Sequence, residues 1–202
     1  MKVTNESTST NDLGVTSVRH PAVQAQYAHD VAAEKAVFGA VRPCAMGKMI
    51  LRESAPDADP HDPVLGENLY PYVHFADQEV LRHQLLTPRA HVPDLTRLLD
   101  SDPEAWRRFH LRVDLLRKEG RAVFIHGLGS AAMSVAAHLH AHVFTLGEKI
   151  EHFDYDPEAG RVRIRAGGRW LVDTVNEHSV PAPTPWEPEP SACDRLFEER
   201  FG

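Results

Sequence analysis

Three histidines stand at alternate positions, His138, His140 and His142, in the run Ser134-Val-Ala-Ala-His-Leu-His-Ala-His-Val-Phe144. In an extended strand, side chains i, i+2 and i+4 line one face together. The interleaved Leu139, Ala141 and Val143 then line the other face and have the size and polarity of core residues. The spacing predicts a strand over 137–145 with one apolar side and one side of imidazole. With 13 histidines in 202 residues, composition alone would produce this spacing in roughly one chain in twenty. The setting adds to the signal. Gly127-Leu-Gly-Ser-Ala-Ala132 precedes the run, a small-residue loop of the kind whose backbone N–H groups curl around an anion. Gly129 and Ser130 are its candidate anion-holding positions. Imidazoles reached through such a loop suit chemistry at phosphorus.

Composition sets the outer limits. Lys and Arg number 22 against 29 Asp and Glu, a net charge of −7. No basic field would therefore draw nucleic acid or an anionic membrane nonspecifically. Cys44 and Cys193 lie far apart and make no disulfide framework, which fits a reducing compartment. No apolar run has transmembrane length, and Met1 to Thr16 is polar rather than leader-like. A soluble, cytoplasmic protein is expected, with one domain large enough to fold unaided.

Along the chain, residues 1–21 read as a flexible segment. Ala22 to Val41 carries apolar residues at helical spacing and ends at Pro43. Lys48 to Arg52 reads as a short strand, as do Leu69 to Phe75 and His83 to Thr87. Ser101-Asp-Pro-Glu104 is a helix start, with a capping residue, proline in the first turn and an acid near the positive end. That helix runs through Trp106, Phe109, Val113 and Leu116 to Gly120. Ala122 to His126 reads as a strand ahead of the histidine run. Phe153 to Asp156 and Arg161 to Arg165 flank Pro157–Gly160 as a hairpin, with Trp170 to Val175 a possible third strand. The fold class is α+β, a mostly antiparallel sheet with two main helices. The main domain spans 22–147, and 148–202 forms a C-terminal β-hairpin extension packed on it.

A histidine that attacks a phosphoryl or nucleotidyl group needs a neutral ring nitrogen facing phosphorus, a partner for the proton on its other nitrogen, and donors around the nonbridging oxygens. Imidazole titrates near ~6.5, so the neutral ring is available at cytoplasmic pH. His-Leu-His-Ala-His-Val resembles the signature of the histidine-triad (HIT) family of nucleotide hydrolases and transferases. His83-Gln-Leu-Leu-Thr-Pro-Arg-Ala-His91-Val is similar to that family's second motif, His-x-Leu-x-x-Pro-Lys/Arg-x-His-Val. Asn68-Leu-Tyr-Pro71 looks like its Asn-x-x-Pro stretch by the nucleoside pocket. The likeness covers residues 42–147. It implies a covalent nucleotidyl-imidazole on His140, a ring on an open face rather than in the core. His138 and His142 would assist, and His83 would be the fourth histidine of the site. It also implies a homodimer with an apolar helix face at the interface, and turnover that needs no metal or other cofactor.

The chain departs from the family's pattern in places. The Gln and Ser that many members place ahead of the triad are Ser134 and Val135 here. A strand Asn falls on His126, and the ribose-binding Asp matches Asp77 only with a gap. The structural zinc ligands Cys-x-x-Cys become Cys44-Ala-Met-Gly47, so that site is expected to be lost. Weak turnover of generic substrates follows, with compensating contacts from the region of Trp170. His91 and His110 read as structural. Two other readings stay open: a zinc enzyme using the triad as ligands, and a noncatalytic nucleotide-binding protein that kept the pocket and lost the clamp.

Overall fold

The computed structural model describes residues 17–38, 44–125, 138–156 and 159–174. Its elements are β1 (Ser17–Arg19), α1 (Pro21–Phe38), α2 (Ala45–Glu53), β2 (Val64–Glu67), β3 (Tyr72–Phe75), β4 (Gln78–Thr87), α3 (Leu95–Ser101), α4 (Pro103–Lys118), β5 (Ala122–Ile125), β6 (Ala141–Asp156), β7 (Arg161–Ala166) and β8 (Arg169–Asp173). The class is α+β, with four helices and eight strands among the described residues. Two helices are long, α1 with 18 residues and α4 with 16. No helix among the described residues is long and apolar enough to cross a membrane.

The described residues divide into two compact units, the first made of 17–33, 69–83, 144–156 and 159–174, the second of 34–38, 44–68, 84–125 and 138–143. β4 and β6 each pass from one unit to the other. In the first unit the strands follow the order β1-β3-β4-β6-β7-β8, and the β1–β3, β3–β4, β6–β7 and β7–β8 pairs are antiparallel. β7 shows why the hairpin forms. Val162, Ile164 and Ala166 are buried while Arg161, Arg163 and Arg165 alternate outward, the period-2 pattern of a strand with one face on a core. Val162 and Ile164 pack with Val18, Phe153 and Val172. The β3–β4 turn is tight: Phe75 pairs with Gln78, and Ala76 between them has φ 51°.

In the second unit β2 pairs antiparallel with the end of β4, from Val64↔Thr87 to Glu67↔Gln84, and β5 pairs with β6. α4 begins where its signals predict. Asp102 caps it by accepting from the Ala105 N–H at 3.0 Å, with Pro103 in the first turn. Ala105, Phe109, Val113 and Leu116 recur at helical spacing and are buried with Leu86, Leu98, Leu139, Ala141 and Val143.

Several elements differ from the sequence reading. β1 lies inside the segment 1–21 read as flexible, and β2 was not expected. Residues 48–52 belong to helix α2, not a strand. Met46 and Met49, three apart, are buried against Val64 and Leu85, and Cys44 caps the helix by accepting from the Gly47 N–H at 3.5 Å. Helix α3, unforeseen, is started by Asp94, which accepts from the Arg97 N–H at 2.8 Å. The strand expected over 137–145 begins only at Ala141, leaving His138 and His140 outside it, and runs unbroken past Gly147 to Asp156. Gly66 on β2 lets α2 lie against the strand backbone: a Cβ there would stand 2.9 Å from Cγ of both Met49 and Glu53.

A candidate histidine site

Residues 138–140 are held by the segment after β4 rather than by a strand ladder. The Thr87 hydroxyl donates to the Leu139 carbonyl at 2.8 Å, and the Leu139 N–H donates to the Val92 carbonyl at 2.6 Å. Leu139, pinned on both backbone groups, sends its side chain into the core of the second unit with Ala141 and Val143. The alternation predicted for the apolar residues is therefore present, although the strand starts later. His138, His140 and His142 are buried, at 1%, 3% and 6% exposure. The open face expected for His140 is thus corrected: the anchoring of 138–140 draws the triad inward along with the apolar residues.

Hydrogen bonds assign the ring protons. His140 Nδ1 lies 2.9 Å from the His138 carbonyl oxygen. A carbonyl only accepts, so Nδ1 carries the proton and Nε2 carries the lone pair. His138 Nε2 lies 3.1 Å from the Pro88 carbonyl, so Nε2–H donates there and Nδ1 accepts. Its neighbour is the Cys44 sulfur, 3.2 Å away. The His91 ring stands 4.8 Å from the His138 ring, and the His140 and His142 rings meet edge to face at 5.4 Å. Burial pushes the pKa of both His138 and His140 below the ordinary imidazole value, against the opposing pull of their carbonyl partners. Both rings are therefore neutral at neutral pH.

Of the other predicted positions, His83 and Asp77 belong to the first unit and Asn68 to the second. His83, on β4 in the first unit, is buried; its Nδ1 accepts from the Tyr72 N–H at 3.1 Å, and its ring stacks on Tyr72 at 4.8 Å. Its proton is accordingly on Nε2. Asp77 sits in the β3–β4 turn, its carboxylate 3.6 Å from Lys149 Nζ. Asn68 follows β2 and is half-buried. A cavity of about 360 Å³ in the first unit is lined by residues that include Glu79, His83, Arg169 and Trp170. Trp170 is 41% exposed and faces the Arg163 guanidinium at 4.5 Å. His126, Gly129, Ser130, Ser134 and Val135 lie outside the described residues, as does Trp186.

Spacing along the chain did not reveal one grouping. The donor atoms of Cys44, His91 and His138 lie within 4.8 Å of one another, the only such group among the described residues that includes a triad histidine. Thiolate and imidazole are zinc-type donors, but a closed structural site takes four. Gly47, which stands where the family's pattern has its second cysteine, offers only a backbone N–H, directed at the Cys44 sulfur. Sulfur and nitrogen on one tetrahedral zinc would sit about 3.5 Å apart given the usual bond lengths. The 3.2 Å separation here is that of a direct hydrogen bond. Among the described residues the set is one donor short of a closed structural zinc site.

Comparison with family models, curated proteins and solved structures found no match to the chain in any of the three.

Proposed function

We propose that the protein is a nucleotide hydrolase or nucleotidyltransferase that works through a covalent nucleotidyl-histidine on His140, as its likeness to the histidine-triad family implies. One observation carries this reading: the Nδ1–H bond from His140 to the His138 carbonyl, which presents Nε2 as a neutral nucleophile. In the first step the Nε2 lone pair attacks the nucleoside phosphorus. The Nε2–P bond forms, the bond from phosphorus to the leaving group breaks, and the leaving group takes a proton from a flanking histidine, His142 in this reading. In the second step water or an acceptor attacks phosphorus and returns a proton to that histidine, the P–Nε2 bond breaks, and neutral His140 is restored. His138 has both ring nitrogens engaged by the protein, so its part is to place His140. His142, whose ring touches that of His140, is the closer candidate for a group that meets substrate.

Intact-protein mass spectrometry after incubation with adenosine and uridine phosphate esters tests the reading. A nucleotidyl adduct on the unmodified chain, absent from a folded His140→Gly variant, is the expected result. Full turnover by His140→Gly would sink the assignment. Binding of nucleotide without adduct or turnover would favour the noncatalytic reading, and activity lost to EDTA and restored by zinc would favour the metal enzyme.

A further inference from the structure

We infer that Cys44 is a positioning residue for His140, acting through a direct thiol–imidazole hydrogen bond to His138; this rests on His140 being the nucleophile. The carbonyl that orients His140 belongs to His138, so whatever fixes His138 fixes the direction of His140 Nε2. The His138 ring is fixed at both nitrogens, by the Pro88 carbonyl and by the Cys44 thiol. His138 is 1% exposed, so water does not stand in readily if the thiol is lost. Nδ1 would then lack a donor, and the ring would satisfy itself by rotating or by moving its proton. Either change disturbs the bond to Pro88 and with it the backbone that presents the carbonyl to His140.

Cys44 is itself well anchored. It caps α2, its sulfur accepting from the Gly47 N–H, and α2 is seated by Met46 and Met49 on Val64 and Leu85. A line of contacts thus runs from a core cluster through Cys44 and His138 to His140, all within the second unit. The thiol supplies by direct hydrogen bonding a restraint on His138.

The test compares Cys44→Ala, Cys44→Ser and the unmodified chain, with thermal melting to confirm folding. On an adenosine phosphoramidate, Cys44→Ala is expected to lower kcat by ~10-fold or more with KM changed by less than about threefold, since misplacing a reacting group by an ångström costs that order. Cys44→Ser, which keeps an O–H donor, should recover most of the rate. Nitrogen-15 NMR of the imidazoles at neutral pH gives a readout independent of turnover. His140 should be in the Nδ1–H form in the unmodified chain and in Cys44→Ser, and mixed in Cys44→Ala. If the unmodified chain neither forms an adduct nor turns over, the nucleophile reading fails, and the tautomer comparison alone decides the role of Cys44. Unchanged kcat and tautomers in folded Cys44→Ala overturn the inference. So does zinc bound one per chain and released by that substitution, because a metal would then stand between sulfur and ring. Should Cys44→Ala not fold, iodoacetamide alkylation of Cys44 in a Cys193→Ser background replaces it, with the same loss expected and an unaffected rate counting against the proposal.

Discussion

The His138 ring bonds to the Pro88 carbonyl and the Cys44 sulfur, and His140 Nδ1 bonds to the His138 carbonyl; in the proposed reading the first ring places and the second reacts. The lowered pKa of His140 has a consequence for rate. A buried ring that resists protonation stays nucleophilic below the ordinary imidazole range, so the acid limb of kcat/KM should fall below pH 6.5. A limb at or above 6.5 would show that protonation of His140 in this environment does not govern the rate. His74 is a second kind of buried histidine, outside the triad. Its Nδ1–H donates to the Ala76 carbonyl at 3.0 Å, its Nε2 has no hydrogen-bond partner among the described residues, and burial pushes its pKa down to about 4 from 6.5. The unfolded chain therefore takes up this proton more readily than the folded one. Stability that is complete above pH 6.5 is lost as pH falls from there towards 4, and the gap corresponds to about 3 kcal/mol. Urea unfolding of His74→Phe at pH 7 and pH 4.5 should show a drop smaller than the unmodified chain's by most of that amount; equal drops would place the acid sensitivity elsewhere.

At the scale of elements, strain and legibility meet in the β3–β4 turn. Ala76 holds a left-handed φ of 51°, which costs a residue with a Cβ about 1–2 kcal/mol, partly offset by the greater freedom glycine has when unfolded. Ala76→Gly should stabilise the protein by about 0.5–1 kcal/mol in denaturant unfolding. Destabilisation would mean that packing of the methyl group outweighs the strain. The turn was faint in the sequence because Ala76, which takes the left-handed φ, is neither glycine, asparagine nor aspartate. Elements carrying their own chemistry were readable: α4 from Asp102-Pro103 and its apolar spacing, and the β6–β7 hairpin from its alternation. Those decided by partners were not. α2 is helical because Met46 and Met49 seat on Val64 and Leu85, contacts that five residues read alone as a strand do not reveal. At the site, the alternation in 138–143 marked which residues go inward together. The burial of the imidazoles and the contact between Cys44 and His138, 94 positions apart, arise only when distant segments meet.

For the whole molecule, the homodimer implied by the resemblance needs an apolar surface, and the buried face of α4 is already used within the chain. Phe109 and Leu116 are in the core, while Leu111 and Leu115, four apart on α4, are 48% and 50% exposed. Light scattering should give two copies for the unmodified chain and one for Leu111→Glu with Leu115→Glu; a monomer at every concentration of the unmodified chain would remove the expectation. A last consequence comes from the path of the chain. Among the described residues it crosses between the two units at 33/34, 68/69, 83/84 and 143/144, the last two of these falling inside β4 and β6. No contiguous stretch of gene encodes either unit. A single recombination crossover between positions 44 and 143 would split the coding sequence of both, and exchange with a relative would keep one unit whole only through several crossovers, two of them within strands. Heredity is thus constrained to pass these two units on together.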